Sequence, residues 1–257
     1  MRAVQALVGW LCVELLGSPY AFARELLVVS EAFAPYVFEE QGQPTGFDYD
    51  VSKAVLARMG HTLKLSFVPW KRALLMAQKG EVDALLDIGR GDQNEREGFL
   101  AFPDEALSGT RITLFYLKRK PFRYEGLFSL TGKTVGTLAG YAYSPDFANA
   151  PYFQREAVET HEQNLRKLVR GHIDFAMLDT AVGLYTARRL GVADQIGYEP
   201  VSISGGKLYI AFSLARGQQS LARDFSKTLS AFKQTAEYRA IFTRYGIDPA
   251  NVAPPEF

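Results

Sequence analysis

Two aspartates stand at matching places in this chain, each closing a short apolar run. Asp87 ends Gly80-Glu81-Val82-Asp83-Ala84-Leu85-Leu86-Asp87, and Asp179 ends Gly171-His172-Ile173-Asp174-Phe175-Ala176-Met177-Leu178-Asp179. In each segment a helix is expected to stop at the glycine, the chain turns, and a buried strand delivers a carboxylate at its carboxyl end. The second copy is one residue longer. Open α/β sheets bind ligands beyond the carboxyl ends of their strands, so two such ends predict two lobes facing one cleft. A desolvated carboxylate there, with Glu31 as a third, has the chemistry of a general acid or base. Plainer uses exist. Asp179 directly precedes a helical pattern and suits an N-cap. Asp87 is expected to pair internally with Arg90 or Arg111, a positive group on a ligand being the alternative. Arg96 offers a planar fork that matches a carboxylate with two charge-assisted hydrogen bonds. It also stands near Arg90, Glu95 and Glu97, the composition of a solvated loop.

Other chemistries lack their residues. His61, His161 and His172 have no metal-ligand spacing, so no metal is expected. Gly89-Arg90-Gly91 lacks a third glycine and a following helix pattern, and is no phosphate loop. No Gly-x-Ser-x-Gly elbow occurs. No cofactor is expected. The 29 Lys and Arg nearly balance the 28 Asp and Glu, which removes the electrostatic case for nucleic acid as a partner.

The elements that must position these residues alternate. Strands are expected at Leu26–Ser30, Leu63–Val68, Ala84–Ile88, Thr134–Leu138, Ile173–Leu178 and Leu208–Leu214. Helices are expected at Val51–Met59, Lys71–Gln78, Glu162–Val169, Thr180–Leu190, Gln219–Phe232 and Ala236–Tyr245, several ending at glycine. That rhythm implies mainly parallel sheets with helices on their faces. Residues 1–23 read as an export signal: Arg2, an apolar run from Ala3 to Leu16 interrupted by Glu14, then Ala21-Phe22-Ala23 as a cleavage pattern. Cys12, the single cysteine, would leave with it. Leu11 stands before Cys12 where a lipid-attachment site wants a small residue.

Phe33-Ala34-Pro35-Tyr36, Gly46-Phe47-Asp48-Tyr49-Asp50, Asn94-Glu95-Arg96 leading to Phe102, and Leu130-Thr131-Gly132-Lys133-Thr134-Val135-Gly136 occur in that order. Together they resemble the polar amino-acid-binding family of bacterial periplasmic receptors, from about Leu26 to Ile247. The resemblance implies a two-lobed periplasmic-binding-protein fold of type II. Lobe 1 would be 24–110 with a returning 206–257, and lobe 2 would be 111–205. Two crossover strands are expected near Ser108–Ile112 and Ser204–Tyr209.

The resemblance also implies roles. Arg96 would grip a ligand carboxylate and Asp179 would accept from its α-amino group, while Phe33 and Trp70 would lay rings across it. Pro35 makes the turn holding Phe33 a poor place for a core ring. Asp87 departs from the small hydroxyl residue frequent at its position. Tyr141 and Tyr143 stand where the family presents Ser or Thr, and would donate phenolic hydrogen bonds or narrow the pocket. The expected function is a periplasmic, monomeric receptor. It would close on a small polar solute, an amino acid or related carboxylate, and dock on the membrane permease of an ABC transporter. The alternatives are an enzyme on the same fold, similar to cyclohexadienyl dehydratase, and a sensor reporting to a chemoreceptor.

Overall fold

The computed structural model describes residues 24–90, 96–139 and 143–253. Residues 1–23, read above as an export signal and holding Cys12, the Asn94-Glu95 pair before Arg96, and Tyr141 lie outside the described residues.

The first half runs β1 (Arg24–Ser30), a hairpin of β2 (Phe38–Glu40) and β3 (Gln43–Thr45), α1 (Phe47–Arg58), β4 (His61–Phe67), α2 (Trp70–Gln78), β5 (Ala84–Ile88), β6 (Leu100–Ala101) and β7 (Ser108–Leu117). The second half runs β8 (Thr134–Leu138), α3 (Pro145–Asn149), β9 (Gln154–Val158), α4 (His161–Arg170), β10 (Phe175–Asp179), α5 (Thr180–Arg189), β11 (Ile196–Tyr198), β12 (Ser204–Ser213), α6 (Gln219–Lys233) and α7 (Ala236–Arg244).

Each lobe has a parallel centre. In lobe 1, β1 is flanked by β4 and β5, both parallel to it. In lobe 2, β8 is flanked by β9 and β10, again parallel. Strands buried on both faces read as continuous apolar runs, which is why Ala84–Ile88 and Phe175–Asp179 are legible without alternation. Antiparallel pairing is confined to the hairpin and the strands that join the lobes. Residues Ser204–Leu208 of β12 pair with Ser108–Ile112 of β7, and the chain then continues so that Tyr209–Phe212 pair with β5. The far part of β7 pairs with β10 and β11. Two long strands therefore belong to both sheets.

The last two helices return to lobe 1. Phe225, Leu229, Phe232, Ile241 and Phe242 share one core with Leu26, Val28, Phe47, Val51 and Val55. Lobe 2 closes its own cores, one around Phe115, Leu165, Leu168 and Leu178 and another around Leu114, Val135, Phe147 and Met177. Truncating a buried ring such as Phe242 to alanine costs about 3–5 kcal/mol in such settings.

Local signals explain the helix ends. Thr160 and Gln163 form a reciprocal capping box at the start of α4, and Gly171 ends it in the left-handed region. Two expectations move. α1 begins at Phe47, four residues before the apolar periodicity at Val51, because Phe47, Asp48 and Tyr49 are buried as its first turn. β12 begins at Ser204, where the resemblance placed a crossover strand, and not at Leu208, where the apolar run starts. Ser204-Gly205-Gly206-Lys207 has no strand pattern of its own and takes its conformation from pairing with β7.

Candidate functional site

The turn after β1 is built by two of the sequence motifs acting together. Phe33 bridges Val37, with its N–H donating to the Val37 carbonyl at 2.6 Å. The first free N–H groups of α1, those of Phe47 and Asp48, donate to the carbonyls of Pro35 (3.1 Å) and Tyr36 (3.0 Å). Helix starts leave such donors unpaired, and here the turn takes them. Gly46 permits the approach: its φ is 122°, and a Cβ there would stand 2.2 Å from the Tyr36 carbonyl oxygen. The result is a braced turn on which the Phe33 ring stacks over Tyr36, centroids 4.7 Å apart and planes nearly parallel.

Phe33 divides a cleft. On one side lies a cavity of about 390 Å³ lined by Ser30, Glu31, Ala32, Phe33, Trp70 and Asp87. On the other is a cavity of about 440 Å³ with walls from both lobes. Its lobe 1 wall is Ala32 to Ala34; Leu138, His161 and Arg189 belong to its lobe 2 wall. The carboxyl ends of β1 and β5 thus open on the first cavity, and that of β8 on the second. Glu31 and Asp87 line the first and Glu159, Glu162 and Arg189 the second, so acid outnumbers base. Burial pushes His161 down to about 4, which keeps it neutral.

Asp179 is the last residue of β10 and Asp87 the last but one of β5, and the carboxyl oxygens of both are turned into the protein. Asp179 caps α5. Its Oδ1 accepts from the Val182 N–H (3.0 Å) and the Tyr36 hydroxyl (3.0 Å), and its Oδ2 accepts from the Arg111 N–H (2.9 Å). The Tyr36 hydroxyl also lies 3.1 Å from the Gly109 carbonyl. Tyr36 belongs to lobe 1, Gly109 and Arg111 to the crossover strand β7, and Asp179 to lobe 2. Burial raises the Asp179 carboxyl to about 6 despite these donors, and burial with the nearby carboxylates pushes the Tyr36 phenol well up.

Asp87 does not pair with Arg90 or Arg111, correcting the expected internal pairing. Arg90 donates to Glu97 (3.1 Å) and to the Pro103 carbonyl, and Arg111 reaches the Pro200 carbonyl. Asp87 instead meets a second buried carboxyl, Asp48, whose Oδ2 accepts from the Ser108 hydroxyl at 2.5 Å. The backbone of Asp87 is left-handed, φ 60°. A non-glycine residue rarely stands there without constraint from its surroundings.

The remaining candidates divide. Phe33, Trp70 and Asp87 meet in the first cavity. Arg96 is half-buried and donates to the Gly89 carbonyl at 2.5 Å, tying its loop to the end of β5, and it lines neither cavity. Tyr143 is turned away from the cleft. Its hydroxyl accepts from the Leu138 N–H at 2.9 Å and its ring packs 5.3 Å from Phe147. Tyr36, Asp48 and Ser108 join the site although the sequence assigned them no role. Tyr36 and Asp48 lie inside quoted motifs, but their partners are 60 to 143 residues away, a distance no local pattern spans.

Two lobes joined by paired crossover strands, with a cleft between the carboxyl ends of their sheets, define the periplasmic-binding-protein fold. The chain belongs to the family of bacterial extracellular solute-binding proteins, family 3, which it matches over residues 26–248. It is 21% identical to the arginine-binding periplasmic protein of Mannheimia haemolytica over 88% of this chain and 92% of that one. Among solved structures it is similar to substrate-binding domain 2 of Lactococcus lactis GlnP in its open conformation, with a TM-score of 0.72, 23% identity, and 86% and 94% of the two chains covered. It is also similar to a histidine kinase sensor domain that resembles periplasmic binding proteins, with a TM-score of 0.66, 22% identity, and 91% and 99% covered.

Proposed function

We propose that this chain is an exported receptor that closes its lobes around a small polar solute, an amino acid or related carboxylate, and presents it to an ABC transporter permease without altering it. The observation that carries this reading is the cleft around Phe33, whose walls come from both lobes. Ligand contacts that form only when the walls meet favour the closed form by hinge motion. An amino acid suits the lining: its ammonium meets the acidic side chains, and its carboxylate is assigned to Arg96, which must leave the Gly89 carbonyl and swing into the cleft to reach it. Phe33 and Trp70 would cover its apolar part.

The test is a thermal-shift screen against amino acids, polyamines, opines and aromatic acids. Ligand at about 100 times its dissociation constant stabilises the fold by roughly 2.7 kcal/mol. Saturating ligand then lowers the radius of gyration in solution scattering, and the ligand is recovered unchanged. Steady product formation would instead establish an enzyme on this fold.

A second reading is sensing, supported by the likeness to the histidine kinase sensor domain, which spans 91% of this chain. It predicts that the liganded protein binds a receptor or kinase rather than stimulating uptake. A transport assay with the reconstituted permease separates the two.

A further inference from the structure

Among the described residues, three of the four carboxyl oxygens of Asp48 and Asp87 are buried without a hydrogen-bond donor: Asp48 Oδ1 and both oxygens of Asp87. The fourth, Asp48 Oδ2, has the Ser108 hydroxyl. The two carboxyls lie within hydrogen-bonding reach of each other. Two ionised carboxylates so placed would repel in a low-dielectric setting with almost nothing to compensate them. One proton between them supplies a donor and removes one charge.

We propose that Asp48 and Asp87 share a single proton at neutral pH, forming a proton-binding site between the cleft floor and the crossover strand β7. The site has three supports: the first turn of α1 carries Asp48, the left-handed end of β5 carries Asp87, and β7 supplies Ser108. The other groups facing it determine where the proton sits. Lys233 on α6, itself paired with Glu105 at 2.5 Å, draws Asp48 toward ionisation together with Ser108. Tyr36, and Tyr238 on α7, feel the negative charge and offer no cation. Asp87 has no such help. Burial raises both carboxyls, and the Ser108 hydroxyl donating to Asp48 favours its ionised form, which leaves the proton to Asp87. The inference stands independently of the proposed ligand.

The sign of the pH effect follows. Both carboxyls hold protons more tightly folded than unfolded, where about 3.9 is usual. Their contribution to stability is fully present below about pH 4 and is lost as pH rises through about 6 and beyond. Asp87→Asn supplies an amide donor to Asp48 with no proton to lose. Its melting temperature should therefore gain on wild type steadily as pH rises. Infrared spectra of the full chain at neutral pH should show a protonated carboxyl band in wild type. The band should persist in Asp179→Asn and vanish in Asp87→Asn. Should Asp87→Asn fail to fold, Asp87→Ser makes the same comparison, because serine is the smaller donor. A wild-type spectrum without the band, a band insensitive to both Asp87 variants, or melting curves that stay parallel across the pH range would each overturn the shared proton.

Discussion

Arg96 and Asp179 look alike as candidates, but the structure gives them different freedom. Arg96 donates to the Gly89 carbonyl, which a carboxylate can replace at a gain in charge. Arg96→Ala should weaken binding of an amino-acid ligand by on the order of 2–5 kcal/mol, largely because the ligand carboxylate would be buried unpaired. Arg96→Lys should recover only part of this, since an ammonium cannot reproduce the fork. Calorimetry measures both, and ligand-free melting temperatures near wild type separate a binding role from a structural one. Asp179 has no oxygen to spare in this state, since cap, crossover strand and Tyr36 already use both. In Asp179→Asn the amide nitrogen replaces the oxygen facing the Arg111 N–H, a donor against a donor, at a cost of about 1–3 kcal/mol. Wild type also benefits from the raised carboxyl at low pH and loses that benefit as pH rises through about 6. The variant should thus be clearly less stable than wild type near pH 5, with the gap narrowing toward pH 8. Urea unfolding at the two pH values checks it, and a gap that widens would contradict the assignment.

At the scale of elements, β7 and β12 are the long strands shared by the two lobes, and two adjacent glycines in β12 have unequal work. A Cβ on Gly205 would stand 2.1 Å from the Thr110 carbonyl oxygen, whereas a Cβ on Gly206 meets nothing within 4 Å. Gly205→Ala should force the crossover strands apart and destabilise the protein by roughly 1–3 kcal/mol. Gly206→Ala should change stability little. Equal denaturation midpoints for the two variants would show that the crossover pairing is looser than its register implies. The Gly205-Gly206 pair shows why this region reads poorly from sequence. Glycine weakens a strand pattern, and here it is present because two backbones approach closely.

For the whole molecule, the lobes meet at more than the crossover. Tyr36 reaches Asp179, Phe38 packs 5.6 Å from Tyr185, and Arg188 donates to the Tyr245 carbonyl at 3.0 Å. These contacts add to the crossover strands in holding the two lobes together. β1 starts at Arg24, whose side chain pairs with buried Asp83 at 2.5 Å. Removal of residues 1–23 would leave that pair and the first strand intact. The exported protein should therefore begin at Arg24 and contain no cysteine. Intact mass of the periplasmic fraction tests this, and an uncleaved chain or a lipid on Cys12 would refute it.

The sequence by itself determined the layered α/β plan, because that plan is written in local terms. Apolar runs such as Ala84–Ile88, glycine stops such as Gly171, and the Thr160-to-Gln163 box each act within one turn or one strand. It also determined that Asp179 ends a strand and that Asp87 stands beside the end of another. What it left open was where each side chain turns after reaching the strand end. Whether Asp87 would meet an arginine, a ligand or another acid depends on Asp48, which lies on a different element, and on the left-handed backbone that no neighbouring residue announces. Asp179 in turn is saturated by Tyr36, 143 residues earlier. Tyr143 is equally silent from sequence, since a phenol after a strand can face the cleft or, as here, cover its own lobe. Only tertiary packing decides such cases. A buried polar atom must find its donors wherever the fold brings them, and that search runs across the whole chain rather than along it.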